Sequence, residues 1–284
     1  MQRNQRMFWL SVLGFSSIIY MVVALSKFRP NNVPIFPPPE TEETSVCSTS
    51  TLATTTTPTI FFITPTYPRR EQVAELTRLG QTLLLAGNVH WVVAEDSDTC
   101  SPLVAALLTR LGLPYTHITS PQPNIYKEAK LKYNPRGVSS RRAGLSWVME
   151  HQPEGVIYFG DDDNTYDIRL FKEIATTKQV SMFPVGFIGI QGVSSPIVID
   201  GKVVGFSDDW FAQRKFPVDM AGFAVNLEFL RSRNKKANRA MPYKAGYEED
   251  VFLQNLNLTL EDIEPMASDC TEVLVWHTKT VKEK

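Results

Sequence analysis

The stretch that decides the fold is Val156-Ile157-Tyr158-Phe159-Gly160-Asp161-Asp162-Asp163, in which four apolar residues lead through one glycine to three aspartates. A short apolar run bounded in this way is typical of a buried strand. Adjacent carboxylates repel one another and resist removal from water, and a divalent cation relieves both costs. The stretch therefore predicts a strand that ends at a metal–diphosphate site. The alternative is a solvated acidic turn in which Asn164 caps the next helix.

Strands and helices alternate on both sides of this stretch. The predicted strands are 60–64, 89–94, 115–119 and 156–159, and the predicted helices are 71–85, 101–111, 137–149 and 168–175. This alternation indicates an α/β fold with a mostly parallel sheet that is covered on both faces. Ligands of such sheets bind beyond the carboxyl ends of the strands, where Asp96 and the three aspartates lie. The segments 180–187, 197–206 and 221–225 predict a mixed extension of the sheet.

The first 58 residues differ in character from the rest. Phe8 to Leu25 contains no charged residue, and a helix of this length, about 27 Å, spans a thin bilayer. We expect a cytoplasmic tail at 1–7, a signal anchor at 8–25, a Pro/Thr-rich stem at 26–58 and a luminal domain at 59–284. A cleaved signal peptide is the alternative. The glycosylation sequon at Asn257 agrees with a luminal domain.

Composition excludes several classes of protein. The 284 residues are 43% hydrophobic and 21% charged, with a net charge of −1. These values argue against a disordered chain and give no basic excess for nucleic-acid binding. No dinucleotide-binding or P-loop motif occurs, and no Cys/His spacing indicates zinc. Of the three cysteines, Cys47 in the stem is a candidate either for a disulfide between two chains or for an unpaired thiol.

Three further groups of residues are candidates for a site. Arg136 and Arg141 lie at the head of a predicted helix, where they indicate a bound anion or are simply surface charge. Glu248-Glu249-Asp250 opens another predicted helix, and its acids either serve catalysis or complement the helix dipole. His277 follows an apolar strand at 273–275, where a lone histidine is more often structural. With the acidic site, these features outline a metal-dependent nucleotide-sugar transferase of the Golgi type.

Long, ordered motifs resemble the animal β1,3-glucuronyltransferases of glycosyltransferase family 43. They lie between about residues 59 and 280 and comprise Ile63-Thr64-Pro65-Thr66-Tyr67, Glu95-Asp96, Pro135-Arg136-Gly137-Val138, Tyr158 to Tyr166, Phe216 to Val225 and Val273 to Thr278. The resemblance implies a GT-A fold, Mn²⁺, UDP-glucuronate, inversion at the anomeric centre and a homodimer, with Cys47 as one candidate link. It implies a type II Golgi membrane protein that acts on a galactose-terminated glycan, in the Gal-Gal-Xyl linker of proteoglycans.

The resemblance also implies roles for individual residues. Asp163 would bind the metal, and Glu249 would be the catalytic base that takes the proton of the acceptor hydroxyl. The donor would be bound by Pro65, Thr66, Tyr67, Asp96, Arg136, Arg141, Asp161, Asp162, His277, Thr278 and Lys279. The acceptor galactose would contact Trp210, Arg214 and Asp219.

The chain departs from the family pattern at three positions. Family members have alanine where Gly160 stands, arginine where Lys279 stands and an acidic residue near Ser194. The last departure leaves the acceptor open between the linker and N-acetyllactosamine-type glycans. Cys270 falls at a family cysteine position, and one pairing to consider is Cys100–Cys270. Two other interpretations remain, a transferase with another UDP-sugar donor and a catalytically silent carbohydrate-binding protein of the secretory pathway.

Overall fold

The computed structural model of the chain describes residues 42–50, 58–128, 135–210, 213–235 and 241–281. The predicted tail and membrane anchor, and the stem as far as residue 41, lie outside these ranges. Among the described residues, no helix is both long and apolar enough to cross a membrane. The described part of the chain therefore leaves the predicted anchor at 8–25 untested.

The elements of the described residues follow the predicted alternation. The strands are β1 (Ser45–Thr49), β2 (Ile60–Thr66), β3 (Val89–Glu95), β4 (Tyr115–Thr119), β5 (Val156–Phe159), β6 (Thr165–Tyr166), β7 (Val180–Met182), β8 (Val185–Ile188), β9 (Gly192–Ile199), β10 (Lys202–Ser207), β11 (Phe223–Asn226), β12 (Ile263–Pro265) and β13 (Val275–Trp276). The helices are α1 (Gln72–Ala86), α2 (Pro102–Leu111), α3 (Asn124–Glu128), α4 (Val138–His151), α5 (Arg169–Ile174), α6 (Leu227–Arg233) and α7 (Glu248–Asn255). Residues 267–270 form a left-handed turn.

Two sheets organise these elements. The larger sheet has the strand order β1-β4-β3-β2-β5-β11-β7-β12, and the smaller has the order β10-β9-β8-β13-β6. Strands β4, β3, β2 and β5 run parallel, whereas β11 lies antiparallel between β5 and β7. The prediction of an α/β fold with a parallel sheet and a mixed extension is confirmed.

The larger sheet is covered on both faces because successive side chains of a strand point to opposite sides. On β2, Phe61 and Ile63 belong to one apolar cluster with α4 and α7, and Ile60 and Phe62 belong to another with α1, α2 and α5. All four side chains are buried. This arrangement leaves the carboxyl edge of the parallel strands open between the two helical layers.

The segment 180–187 contains two strands that belong to different sheets. Strand β7 pairs with β11 in the larger sheet, and β8 pairs with β9 and β13 in the smaller one. Pro184 lies between them and has no N–H to donate to a strand ladder, which favours a break at this point. The chain thus crosses from one sheet to the other where the apolar pattern alone indicated continuous sheet.

The predicted stem is folded where the structure describes it. Strand β1 pairs antiparallel with β4 at the edge of the larger sheet. Cys47 of β1 forms a disulfide with Cys100, in the loop after β3, and Cys270 is a free thiol. Both cysteine hypotheses are therefore wrong, because Cys47 is neither unpaired nor available to a second chain and Cys100 does not pair with Cys270. The stem boundary at residue 58 also falls too late, since residues 45–49 belong to the sheet.

Candidate active site

A cleft of about 500 Å³ lies at the carboxyl ends of β2, β3 and β5. The strand ends are joined by backbone hydrogen bonds, because the Asp96 N–H donates to the Thr66 carbonyl (2.8 Å) and the Gly160 N–H donates to the Ile63 carbonyl (3.0 Å). The cleft is lined by Asp163 and by all but one of the residues predicted to bind the donor, namely Pro65, Thr66, Tyr67, Asp96, Arg136, Arg141, Asp161, Asp162, His277 and Lys279. The exception is Thr278, which lies beside it.

Two of the three aspartates are held by partners across the cleft. The Asp161 carboxylate accepts a hydrogen bond from Arg141 Nη2 at 2.5 Å. Asp162 accepts one from the Thr66 hydroxyl and one from Arg69 Nη2, both at 2.7 Å. These charge-assisted bonds fix the orientation of both carboxylates and offset their mutual repulsion.

Asp163 differs from its neighbours because its backbone is held while its carboxylate is not. The Asp163 carbonyl accepts hydrogen bonds from Arg78 Nη2 (2.7 Å) and from the Thr278 hydroxyl (2.6 Å). No described residue donates a hydrogen bond to the carboxylate. Desolvation, followed by the charges of Asp161 and Asp162, raises the pKa of Asp163 to about 6.

A carboxylate of this kind fits one type of metal site. In the described ranges, no group of three or more His, Cys, Asp or Glu side chains is arranged to hold a metal ion. An ion such as Mn²⁺ or Mg²⁺ can instead be held by one or two carboxylates together with substrate phosphates. The Asp163 carboxylate, which lines the cleft and accepts no hydrogen bond from a described residue, fits that arrangement.

The head of α4 approaches the end of β2 closely. Gly137 has a φ of +73°, and a Cβ there would lie 2.9 Å from Arg141 Nη1 and 3.1 Å from Pro65 Cβ. Glycine is the residue that tolerates both the left-handed backbone and the short distances. The Arg141 side chain, only 10% exposed, is thereby aimed into the cleft at Asp161.

His277 links the cleft to one of the predicted acceptor residues. Its Nδ1 lies 3.6 Å from Asp219 Oδ2. The pairing with Asp219 outweighs the effect of burial and raises the pKa of His277 to about 9. His277 is therefore a cation at neutral pH, and it lines the cleft together with Arg141 and Lys279.

The predicted acceptor residues lie beside the cleft and not in its lining. Arg214 forms an ion pair with Asp208 at 2.9 Å, and its guanidinium lies over the Trp210 ring at 4.8 Å. The Trp210 ring packs edge-on against Tyr247, with 5.6 Å between centroids. Trp210 is half exposed. An exposed aromatic ring beside paired polar groups is a suitable surface for a sugar.

Ser194 takes part in the same polar network. Its hydroxyl donates to Asp208 Oδ2 at 2.6 Å, and Oδ1 of Asp208 binds Arg214. An acidic residue at 194 would place a second carboxylate against Asp208. The departure at this position therefore reduces negative charge beside the predicted acceptor residues.

Two adjacent glutamates at the start of α7 have raised pKa values. Burial, followed by the charges of Glu248 and Asp219, raises the pKa of Glu249 well above its usual range. Burial also raises the pKa of Glu248, although Arg141 opposes the shift. Glu248 lies in the first turn of α7, where an acid complements the helix dipole, but it is buried, since only 8% of the residue is exposed. Glu249 is partly exposed, so it remains the accessible carboxylate.

Comparison with known proteins identifies the family. The model of Glycosyltransferase family 43 matches residues 79–281. The chain belongs to glycosyltransferase family 43.

Galactosylgalactosylxylosylprotein 3-beta-glucuronosyltransferase S of Drosophila melanogaster is 54% identical over 228 residues, which cover 80% of this chain and 54% of that protein. Protein P of the same name and species is 51% identical over 226 residues, with coverages of 79% and 46%. Human protein 2 of that name is 46% identical over 230 residues, with coverages of 79% and 70%. The chain thus spans about half the length of the two Drosophila proteins.

The structure of this family 43 chain adds cleft residues that sequence reasoning missed. Arg69 binds Asp162, lies 4.6 Å over the Tyr67 ring and lines the cleft. The available signal was its position, three residues after the end of β2 at Thr66. The Gln122 N–H donates to Asp96 Oδ1 at 2.7 Å, but the loop that carries Gln122 has no motif. The other cleft residues not predicted are Glu71, Glu75, Gly137, Ser140 and Thr280.

Proposed function

We propose that the chain transfers glucuronate from UDP-glucuronate to the 3-hydroxyl of a terminal β-galactose, in the Gal-Gal-Xyl linker of proteoglycans. The names of its family 43 relatives state this type of transfer. The observation that carries the proposal is the cleft itself, whose lining combines the Asp163 carboxylate, to which no described residue donates a hydrogen bond, with the cations Arg141, His277 and Lys279. A nucleoside diphosphate bound with a divalent cation supplies the complementary charges.

The cations in the lining of the cleft suit a donor that is anionic at both ends. UDP-glucuronate carries charge on its diphosphate and on its sugar carboxylate. Arg141 offers a planar fork that matches a carboxylate or phosphate, and His277 and Lys279 add positive charge. Lys279 keeps the charge of the family arginine but presents a single ammonium group instead of a fork. Pro65, Thr66, Tyr67, Asp96 and Arg136 line the part of the cleft proposed for the nucleotide.

Mn²⁺ is the proposed cofactor, and Asp163 is the residue that would hold it. The bound ion would offset the negative charge that develops on the leaving diphosphate. The chain prepares Asp163 for this role by fixing its carbonyl through Arg78 and Thr278. Asp161 and Asp162, which are already bonded to arginines, are proposed to orient the ribose and the sugar of the donor.

Glu249 is the proposed general base. A galactose hydroxyl is a weak nucleophile until a carboxylate takes its proton, and a carboxylate with a raised pKa is a stronger base. Asp219 raises the pKa of Glu249, which places both acids at the same site. Trp210, Arg214 and Asp219 are proposed to hold the galactose. One base acting opposite the leaving group gives a single displacement and inverts the anomeric centre.

The cellular setting is proposed on more general grounds. We expect a GT-A protein anchored in the Golgi membrane by residues 8–25, with its catalytic domain in the lumen. An intrachain Cys47–Cys100 disulfide agrees with an oxidising compartment, and Asn257 is exposed where a glycan needs space. We also propose a homodimer, which Cys47 does not link because it is paired within the chain.

A transfer assay on the full-length chain tests the function. The donors are UDP-glucuronate, UDP-glucose, UDP-xylose and UDP-N-acetylglucosamine, each with Gal-Gal-Xyl and N-acetyllactosamine acceptors, with Mn²⁺ or with a chelator. We expect transfer from UDP-glucuronate to Gal-Gal-Xyl only when Mn²⁺ is present. Transfer from a neutral UDP-sugar would support the alternative interpretation, a transferase with another UDP-sugar donor. Glycan binding without any transfer would support the silent binding protein.

A further inference from the structure

Glu42 precedes β1 in the segment predicted as stem, and it reaches two buried side chains. Its Oε1 lies 2.9 Å from Arg142 Nε and accepts a hydrogen bond from the Tyr243 hydroxyl at 2.8 Å. The Arg142 side chain is 3% exposed, and Tyr243 is 2% exposed. One carboxylate therefore forms an ion pair with a buried cation and accepts a hydrogen bond from a buried hydroxyl. No other described carboxylate pairs with Arg142.

The group formed by Glu42, Arg142 and Tyr243, which we call the clamp, joins two parts of the fold. Arg142 belongs to α4 and donates from Nη1 to the Met241 carbonyl at 3.3 Å. The Tyr243 hydroxyl lies 2.8 Å from the Ser139 hydroxyl, also on α4. The clamp thus fastens the segment 241–247 to α4 through the Met241 carbonyl and the Tyr243 side chain.

The two parts joined by the clamp carry opposite sides of the proposed reaction. Arg142 follows Arg141, the α4 residue that binds Asp161 in the donor cleft. The segment 241–247 leads directly into α7, whose second residue is Glu249. Its last residue, Tyr247, packs against Trp210 on the acceptor side. The distance from base to donor therefore depends on how this segment lies against α4.

Glu42 is followed directly by a segment that is held in place. Three residues after it, β1 begins its pairing with β4, and Cys47 is bonded covalently to Cys100. Glu42 lies outside the part of the chain that matches the family, residues 79–281. The clamp is thus a contact between the base-bearing region and a segment that precedes the matched domain.

We propose that Glu42 is a positioning residue for Glu249. By neutralising Arg142 and accepting from Tyr243, it fixes the segment 241–247 on α4 and so sets where α7 begins. The inference rests on the proposed function, because it assigns the base to Glu249. Without Glu42, a buried guanidinium is left without a carboxylate, and the segment that leads to the base shifts to solvate it.

Three variants of the full-length chain test the proposal. Glu42→Ala removes the clamp, Glu42→Gln keeps an oxygen for Tyr243 but not the charge for Arg142, and Glu43→Ala alters the exposed neighbour as a control. We expect kcat of Glu42→Ala to fall about tenfold or more, because a misplacement of about 1 Å can cost on the order of 10²-fold. Glu42→Gln should fall between Glu42→Ala and the parent, and Glu43→Ala should match the parent. KM for UDP-glucuronate should change by less than about twofold, since the donor cleft keeps its residues.

Hydrogen exchange of the same variants separates this proposal from the proposed function. In Glu42→Ala, amides of 241–253 should exchange faster while those of β2 and β3 stay protected. If the parent chain shows no transfer but the amides of 241–253 still exchange faster in Glu42→Ala than in the parent, the result would support the clamp and reject the proposed transferase function. Unchanged exchange at 241–253 would overturn the clamp. A lowered melting temperature of Glu42→Ala with an unchanged kcat would show that Glu42 stabilises the fold without positioning Glu249, and it would overturn the proposal too. If Glu42→Ala does not fold, Glu42→Gln decides by the same two readouts.

Discussion

Glu248 and Glu249 lie side by side at the start of α7, yet we expect only one of them to be the base. Glu249→Gln keeps the shape of the side chain and removes its basicity. We predict that kcat falls by about 10²–10⁴-fold, the usual worth of general-base catalysis. UDP affinity should hold, because Glu249 does not line the donor cleft. Steady-state kinetics and a UDP titration of both chains check this.

Glu248→Gln is the matched control, and it makes a separate prediction about pH. The base acts when deprotonated, so kcat/KM should rise with pH through the pKa of Glu249, which is about 8. The charge of Glu248 contributes to that raised pKa, so Glu248→Gln should move the rise to lower pH and keep the plateau. An inactive Glu248→Gln beside an active Glu249→Gln would reverse the two roles.

Asp163 should bind Mn²⁺ in competition with a proton. Its pKa in the folded chain is about 6, and a carboxylate ligand must be deprotonated to bind a cation. Mn²⁺ affinity should therefore fall as the pH drops below about 6 and level off above it. Calorimetric titration across this range measures the effect. Asp163→Asn should bind Mn²⁺ weakly at every pH, and parent-like affinity in that variant would contradict the assignment.

The same raised pKa predicts a change in stability without metal. The folded-state pKa lies above the ordinary value of 3.8, so the charged carboxylate destabilises the fold, and stability is lost as the pH rises between these two values. Asp163→Asn should therefore melt at a higher temperature than the parent at neutral pH in the presence of a chelator. A lower melting temperature would show that the carboxylate has a stabilising partner.

At the scale of elements, the end of β5 packs directly against β2. A Cβ at Gly160 would lie 2.0 Å from Phe62 Cζ. The Phe62 ring cannot move away easily, because it packs against Tyr158, Tyr166 and Phe171. We predict that Gly160→Ala lowers the free energy of unfolding by about 1–3 kcal/mol, the usual cost of overpacking. Denaturant unfolding gives the value.

Phe62→Leu provides the matched partner for this test. The double variant should lose less stability than the sum of the single losses, because the shorter side chain makes room for the methyl group. Additive losses would show that the strain lies elsewhere. The result would also explain how this chain accommodates glycine where its family members have alanine.

The central elements were predictable because apolar patterns specify them locally. The bounds of β4 and β5 match the prediction, and the predicted ends of α1 lie one residue from those observed. Strand β1 was missed because its sequence is short and mostly polar. Its pairing with β4 joins residues as distant in the chain as Ser45 and Thr119, for which no local pattern exists. The break between β7 and β8 was missed because its only signal was one proline.

At the scale of the whole molecule, the Cys47–Cys100 disulfide ties the edge strand to the sheet across a sequence separation of 53. Closing a loop of this length is worth about 4 kcal/mol in the chain-entropy estimate. We predict that Cys47→Ser and Cys100→Ser lower the melting temperature equally and that the double variant loses no more. Cys270→Ser is the control. A Cys47-linked dimer on a non-reducing gel would contradict the intrachain pairing.

The candidate site was predictable to the extent that its residues follow strand ends. A parallel sheet brings such positions to one edge. The proximity of Thr66, Asp96 and Asp161 can therefore be predicted without knowing any side-chain contact. Burial of Glu248 could not be predicted, because it depends on what packs against α7. The clamp lies beyond any sequence pattern, since Glu42 and Tyr243 are 201 residues apart.

The most direct test of the account is the linkage of the product. The full-length chain is incubated with UDP-α-glucuronate, Gal-Gal-Xyl and Mn²⁺, and the product is examined by NMR. A single displacement with Glu249 as base predicts glucuronate in β1,3 linkage to the terminal galactose and none with Glu249→Gln. An α-linked product, or the same β-linked product from Glu249→Gln at the parent's rate, would contradict it.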